Sequence, residues 1–406
     1  MSNMISLHVL AFALALSLPS TVASQPSERA TSVVQGADQP KRPVLEWTPA
    51  EQARWYKAME QVLPTRAVRR GPKVRALSAG PPIDPRIVVG DKTWTVDDWM
   101  REYRVSGVLV MRDGKVLLER YGLGRGPQDR WTSFSVAKSV TALLAGAAAR
   151  DGKLRLDDPI VKFVPELKGS AYDGVTVRHL LTMSSGVRWN EDYSDPESDN
   201  SRLSRGSRAG QDALLTTLAK LPRLHRPGTK WHYNTAETHL AGLVVSRATG
   251  KTLSDYLSER IWRPYGMEQD AVWIVDGMGR EAAGCCLSAT LRDFARIGQF
   301  ALDEGVIDGR PILPPGFAQE ATSVRIANDQ PAPSGYGYFW WIGPRAYEAS
   351  GIFGQSILVY PKERIVIAIN SAWAHPDAKD QWRAMSMFQG AAHDAAAPDF
   401  PPVMKR

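Results

Sequence analysis

The sequence predicts an α+β fold: an antiparallel sheet flanked by helices and built from both chain ends, interrupted by an inserted, mainly helical domain. Three observations predict it. Two strand-like runs, 107–112 and 115–121, meet at Asp113-Gly114, a two-residue connection that favours a hairpin. Strand character returns near the C-terminus at 336–342, 346–349, 356–360 and 364–370, with Pro361-Lys362-Glu363 as a turn, and such short, closely spaced runs pair antiparallel. The middle third, roughly 154–325, reads as helices and long loops. Strands at both ends with helices between them make one sheet with an insertion.

In chain order, Met1 to Ser24 lacks Lys, Arg, Asp and Glu, carries an apolar stretch from Val9 to Leu18 and ends on Val22-Ala23-Ser24. That is the shape of a signal peptide over 1–24, and its apolar core is too short for a membrane span. A periplasmic or secreted protein is expected, touching a membrane only if the signal stays uncleaved. Residues 25–85 are rich in Pro, Arg, Ser and Ala and read as an N-terminal extension that wraps the body, with a helix expected at 49–62. Residues 86–153 and 326–406 form the sheet domain and 154–325 the helical domain. Within the first, the run from Ser135 to Arg150 is small and apolar on every side, which marks a buried helix. A closing helix is expected over 377–395.

The 406 residues carry a net charge of +7, part of it in Arg66, Arg69, Arg70, Lys73 and Arg75. No aromatic interleaving or nucleic-acid motif accompanies that cluster, so it reads as a solvated basic surface facing an anionic envelope polymer or lipid headgroups, with no nucleic-acid partner. The two cysteines, Cys285 and Cys286, are adjacent, which excludes a disulfide framework and leaves them as small buried thiols. The seven histidines show no zinc spacing, Gly122 to Gly126 lacks the dinucleotide pattern, and no GxSxG elbow occurs. No cofactor and no metal are therefore expected.

Chemistry concentrates in Ser135-Val136-Ala137-Lys138. Three residues apart on a helix, Ser135 and Lys138 share a face. A serine hydroxyl becomes a nucleophile when a neighbour takes its proton, and a buried lysine can do so because desolvation disfavours its ammonium form. The helix N-terminus also directs N–H groups at negative charge developing on a reacting carbonyl.

The stretch Trp131 to Leu144, the run Gly152-Lys153-Leu154-Arg155-Leu156-Asp157-Asp158-Pro159-Ile160, the run His179 to Gly186 and Thr290 to Arg296 occur in an order that resembles the serine β-lactamase and penicillin-binding-protein superfamily. The branch it is most similar to holds class C β-lactamases, esterases and 6-aminohexanoate-dimer hydrolases, over about Val105 to Ala372. The resemblance implies a β-lactamase/transpeptidase-like fold and a serine hydrolase that cleaves a small linear amide or ester through an acyl-enzyme. It assigns Tyr233, in Trp231-His232-Tyr233-Asn234-Thr235, as second base, with the phenol biased towards phenolate beside the Lys138 ammonium. It maps the third cleft motif onto Ala349-Ser350-Gly351, without that motif's cation, and makes the Ser135 and Ile352 N–H groups the oxyanion hole. Tyr193, Trp341 and Gly351 become candidate substrate contacts. A literal Ser198-Asp199-Asn200 matches the second motif of class A β-lactamases but lies in a polar, turn-rich loop. The alternatives are a penicillin-binding-protein-like D,D-peptidase, a class C-type β-lactamase, or a catalytically inactive envelope binding protein; the motifs set no oligomeric state.

Overall fold

The structure, a computed structural model, describes residues 28–403 apart from 34, 35, 37, 207–210 and 377. The expected signal peptide lies outside the described residues.

Helix α1 (Pro49–Trp55) starts on a reciprocal cap between Thr48 and Glu51, with proline in its first turn. It stops well short of residue 62. Ala58 leaves the helical region and a single 3-10 turn follows, Met59–Gln61, because Trp55, Tyr56 and Met59 turn into a core shared with Trp131, Phe134 and Phe353. Strands β1 (Thr65–Val68) and β2 (Ser78–Ala79) complete the extension. The body contributes β3 (Val105–Arg112), β4 (Lys115–Tyr121), β5 (Arg130–Thr132), α2 (Val136–Arg150), α3 (Val177–Leu181), α4 (Thr235–Thr249), β6 (Ala271–Ile274), β7 (Leu287–Thr290) and α5 (Leu291–Leu302). The C-terminal part adds β8 (Gly335–Tyr336), β9 (Trp341–Ile342), β10 (Tyr347–Gly351), β11 (Gln355–Tyr360), β12 (Ile365–Ser371) and α6 (Lys379–Ala396).

The large sheet runs β8-β9-β10-β11-β12-β3-β4-β2, so strands from the two chain ends meet where β12 pairs antiparallel with β3. Only β2 enters parallel, against β4. The period-two alternation of β12 decides both faces. Ile365, Ile367 and Ile369 pack with Trp99 and Phe388 on one side, whereas Val366 and Ala368 join Phe294 and Ile297 of α5 on the other. Helix α2 is buried along nearly its whole length and packs against α4 and β10, as the all-apolar run required.

Two expectations change. The run 336–342 is not one strand. Gly337 N bonds the Trp340 carbonyl, Phe339 N bonds the Leu181 carbonyl and Ser139 Oγ donates to the Phe339 carbonyl, so this backbone pairs away from the sheet and buries Tyr338 and Trp340. A second sheet, β1-β6-β7-β5, takes two of its strands, β6 and β7, from the region read as helices and loops. Its strands are three or four residues long, and their pairing partners come from the distant extension and from β5, which a local pattern does not register.

The basic cluster is partly engaged, although Arg69, Arg70 and Lys73 remain exposed. Arg66 forms a buried pair with Glu281 at 2.6 Å, Arg69 bridges Glu28 and Asp270, and Arg75 lies over the Tyr265 ring and 3.6 Å from Asp308. The contacts of Arg66 with Glu281, Arg69 with Asp270 and Arg75 with Asp308 tie the extension to the body.

Candidate active site

Phe134 has a φ of +41°, and that turn sets Ser135 at the N-cap of α2. One turn on, Lys138 Nζ lies 3.0 Å from Ser135 Oγ and donates to the Gly284 carbonyl at 2.8 Å. Lys138 is 2% exposed, and among the described residues no carboxylate comes within ion-pair distance of it. Burial pulls its ammonium down to about 8, with the charge of Glu191 opposing the shift. About a tenth of Lys138 is therefore neutral amine at pH 7, against a far smaller share for an unperturbed lysine, and the share grows towards pH 8. Its lone pair can accept the Ser135 proton while an N–H stays on Gly284.

Tyr233 stands immediately before α4, where Asn234 is the N-cap. Its ring stacks on Trp341 at 5.8 Å, and Lys138 Nζ sits 5.2 Å from its centroid. Trp231 and Tyr336 close the aromatic cluster, each within 5.7 Å of Trp341. The expected phenolate is corrected. Burial, then Glu191, raises the phenol above the ordinary tyrosine range, and the Ser135 hydroxyl only partly opposes this. Desolvation is the largest of these effects. Tyr233 is a neutral phenol, able to give one proton and take another.

Glu191 organises this side of the site. Its carboxylate accepts from Trp189 Nε1, from the Thr235 hydroxyl, from Thr235 N at 3.0 Å and from Tyr193 OH at 2.8 Å. Tyr193 is thereby held beside Tyr233, with its phenol raised by burial, Glu191 and Tyr233 in that order. Four donors saturate the acceptor sites of one carboxylate. Sequence reasoning missed Glu191, since a lone acidic residue in a polar loop looks solvated; its only local signal is its spacing of two from Tyr193.

The opposite wall is β10. A side chain on Gly351 would place its Cβ 2.7 Å from the Ser133 carbonyl and 3.0 Å from Ser135 N, so only glycine lets this strand end run so close to the nucleophile. Beyond it, Ile352-Phe353-Gly354 form the tip of the β10–β11 hairpin, with Phe353 at a φ of +62°. Among the described residues neither Ser135 N nor Ile352 N donates to another protein group, which leaves both amides available to a ligand oxygen.

The Ser198-Asp199-Asn200 match has another use. Ser198 caps a short helix, while Asp199 accepts from Asn190 N at 2.8 Å and pairs with Arg188. Cys285 and Cys286 are also not free thiols; they form a disulfide between chain neighbours. The turn closed by Cys285 N on the Ala282 carbonyl and the positive φ of Cys286 bring the two sulfurs together. Two further titratable groups, which share a segment with His232 but match no zinc-ligand spacing, lie buried here. Glu237 lies buried in the first turn of α4, and His239 is lowered to about 3 by burial and by the charge of Lys138. Among the described residues no three His, Cys, Asp or Glu side chains converge to hold a metal ion.

Residues 95–391 match the protein family described as Beta-lactamase. A 6-aminohexanoate-dimer hydrolase of Paenarthrobacter ureafaciens is 31% identical over 364 residues, covering 84% of this chain and 90% of that protein. Esterase EstB of Burkholderia gladioli is 34% identical over 190 residues, 42% of this chain and 48% of the esterase. Among solved structures, a putative 6-aminohexanoate-dimer hydrolase from Bacillus anthracis superposes with a TM-score of 0.79 at 24% identity, over 89% of this chain and 99% of that one, a likeness of fold.

Proposed function

We propose, from the premise that this chain belongs to the Beta-lactamase family and is a serine hydrolase, that it cleaves a small linear amide or ester through an acyl-enzyme on Ser135. The observation that carries this is the buried Lys138 amine, 3.0 Å from Ser135 Oγ and lowered to about 8.

In this reading neutral Lys138 takes the Ser135 proton as Oγ attacks the substrate carbonyl. The oxyanion rests on the Ser135 and Ile352 N–H groups. Tyr233 gives its proton to the departing amine or alkoxide and is reprotonated from the Lys138 ammonium, so the acyl–leaving-group bond breaks without a free charge in the aromatic pocket. Water then enters, gives its proton back through the same pair, and the acid is released. Tyr193, Trp341 and Gly351 contact the substrate. The missing third-motif cation, with Ala349 in its place, disfavours a carboxylate-bearing β-lactam and favours neutral amides and esters. The names of the hydrolase and esterase relatives support both bond types.

Export to the periplasm or medium belongs to the same reading, supported by the apolar run Val9 to Leu18.

Ser135→Ala is expected to abolish turnover of a chromogenic short-chain ester and labelling by a fluorophosphonate, with an unchanged circular dichroism spectrum. Retained ester turnover in the folded variant would overturn the assignment.

A further inference from the structure

Tyr233 reaches the site from a loop, and two backbone anchors flank it. On one side His232 N bonds the Met183 carbonyl at 2.9 Å. On the other, Asn234 caps α4 through Glu237 N at 3.2 Å. The second anchor continues through a side chain. Glu237 Oε1 accepts from Asn234 Nδ2 at 3.3 Å and from Ser185 Oγ, and Ser185 Oγ accepts in turn from Val187 N at 3.0 Å. Both anchors thus end on the loop Met183 to Val187.

We propose that Glu237 is a positioning residue for Tyr233: its carboxyl bolts the start of α4 to Ser185 and so holds the phenol against Trp341 and Lys138. The inference rests on Tyr233 being the proton relay.

Glu237 is 1% exposed, and among the described residues no cation pairs with it. The groups that face it are Ser185 from the loop after α3, Tyr172 from the segment before α3, and Asn234 from its own helix start; Asp199 adds charge only at Tyr172. Among the described residues neither Glu237 Oε2 nor the Tyr172 hydroxyl, both buried, has a hydrogen-bond partner. A protonated carboxyl suits such surroundings, since it brings a donor and removes a charge that nothing neutralises. Burial accordingly pushes Glu237 up to about 8. Above that pH the bolt carries an unpaired buried carboxylate, and Tyr233 loses its fixed position.

The test is ester hydrolysis against pH for the parent enzyme, Glu237→Gln, Glu237→Ala and Ser185→Ala, repeated in a Tyr233→Phe background. Glu237→Gln keeps a neutral group and the acceptor, so kcat at neutral pH should stay within about threefold and decline less above pH 8 than in the parent. Glu237→Ala should lower kcat by about 10- to 100-fold with KM nearly unchanged, as a displaced catalytic group does, and Ser185→Ala should act in the same direction. In the Tyr233→Phe background Glu237→Ala should add little. Equal losses for Gln and Ala, the parent's alkaline decline persisting in Glu237→Gln, or full additivity with Tyr233→Phe would overturn the proposal. If Tyr233→Phe alone keeps full kcat, the relay reading fails instead. If Glu237→Ala does not fold, an unchanged kcat in folded Ser185→Ala overturns the bolt.

Discussion

The rings of Phe134 and Phe353 lie 5.0 Å apart, and both residues hold left-handed backbone angles, +41° and +62°. One precedes Ser135 and the other follows Ile352. The two turns that present the candidate oxyanion amides are therefore clamped to each other through their side chains. A bulky residue in that region is strained, and such strain persists only where packing imposes it. Tyr56 of the N-terminal extension supplies the packing, with its ring 5.3 Å from Phe134 and 6.2 Å from Phe353.

Tyr56→Leu should consequently lower kcat for a short-chain ester, by about tenfold if the amides shift by a fraction of an ångström. It should also cost about 2–4 kcal/mol of stability, as for other truncations of buried rings. Denaturant melts and steady-state kinetics read the two effects separately. An unchanged kcat in a destabilised variant would reduce the extension to scaffolding.

Gly351→Ala tests the opposite wall. With 2.7 Å to the Ser133 carbonyl and 3.0 Å to Ser135 N, the added carbon pushes β10 outwards and takes Ile352 N with it. Loss of one oxyanion donor costs about 10²–10³ in kcat, so a fall of that order is expected, with labelling by a fluorophosphonate slowed in parallel. A variant as fast as the parent would show that Ile352 N is not used.

Glu191 opposes the burial-driven depression of Lys138. The active form of Lys138 is the neutral amine, so kcat/KM of the parent should rise with pH towards about 8. Removing the Glu191 charge destabilises the ammonium further and moves that rising limb to lower pH. Glu191→Gln should show this shift together with a lower maximum, because an amide facing four donors leaves some unpaired. A limb that stays in place would mean that the two groups are electrostatically independent.

The chemistry of this protein was legible where it is local. Ser135 and Lys138 meet because three residues on one helix share a face, the apolar composition of that helix foretells its burial, and Asp113-Gly114 forms a hairpin by turn chemistry alone. Tyr233, Tyr193, Trp341 and Ile352 were named through resemblance, and their neighbours were not. What only the tertiary structure decided is the environment of those groups. Glu191 meets Thr235 across 44 positions, Glu237 meets Ser185 across 52, and Tyr56 covers Phe134 and Phe353 from an extension that composition alone marked as a wrapping. Each is a long-range contact that hydrophobic periodicity does not encode. The same contacts determine charge: a phenol beside a lysine looks ready to ionise, but burial weakens the lysine and the phenol together, so Tyr233 stays neutral.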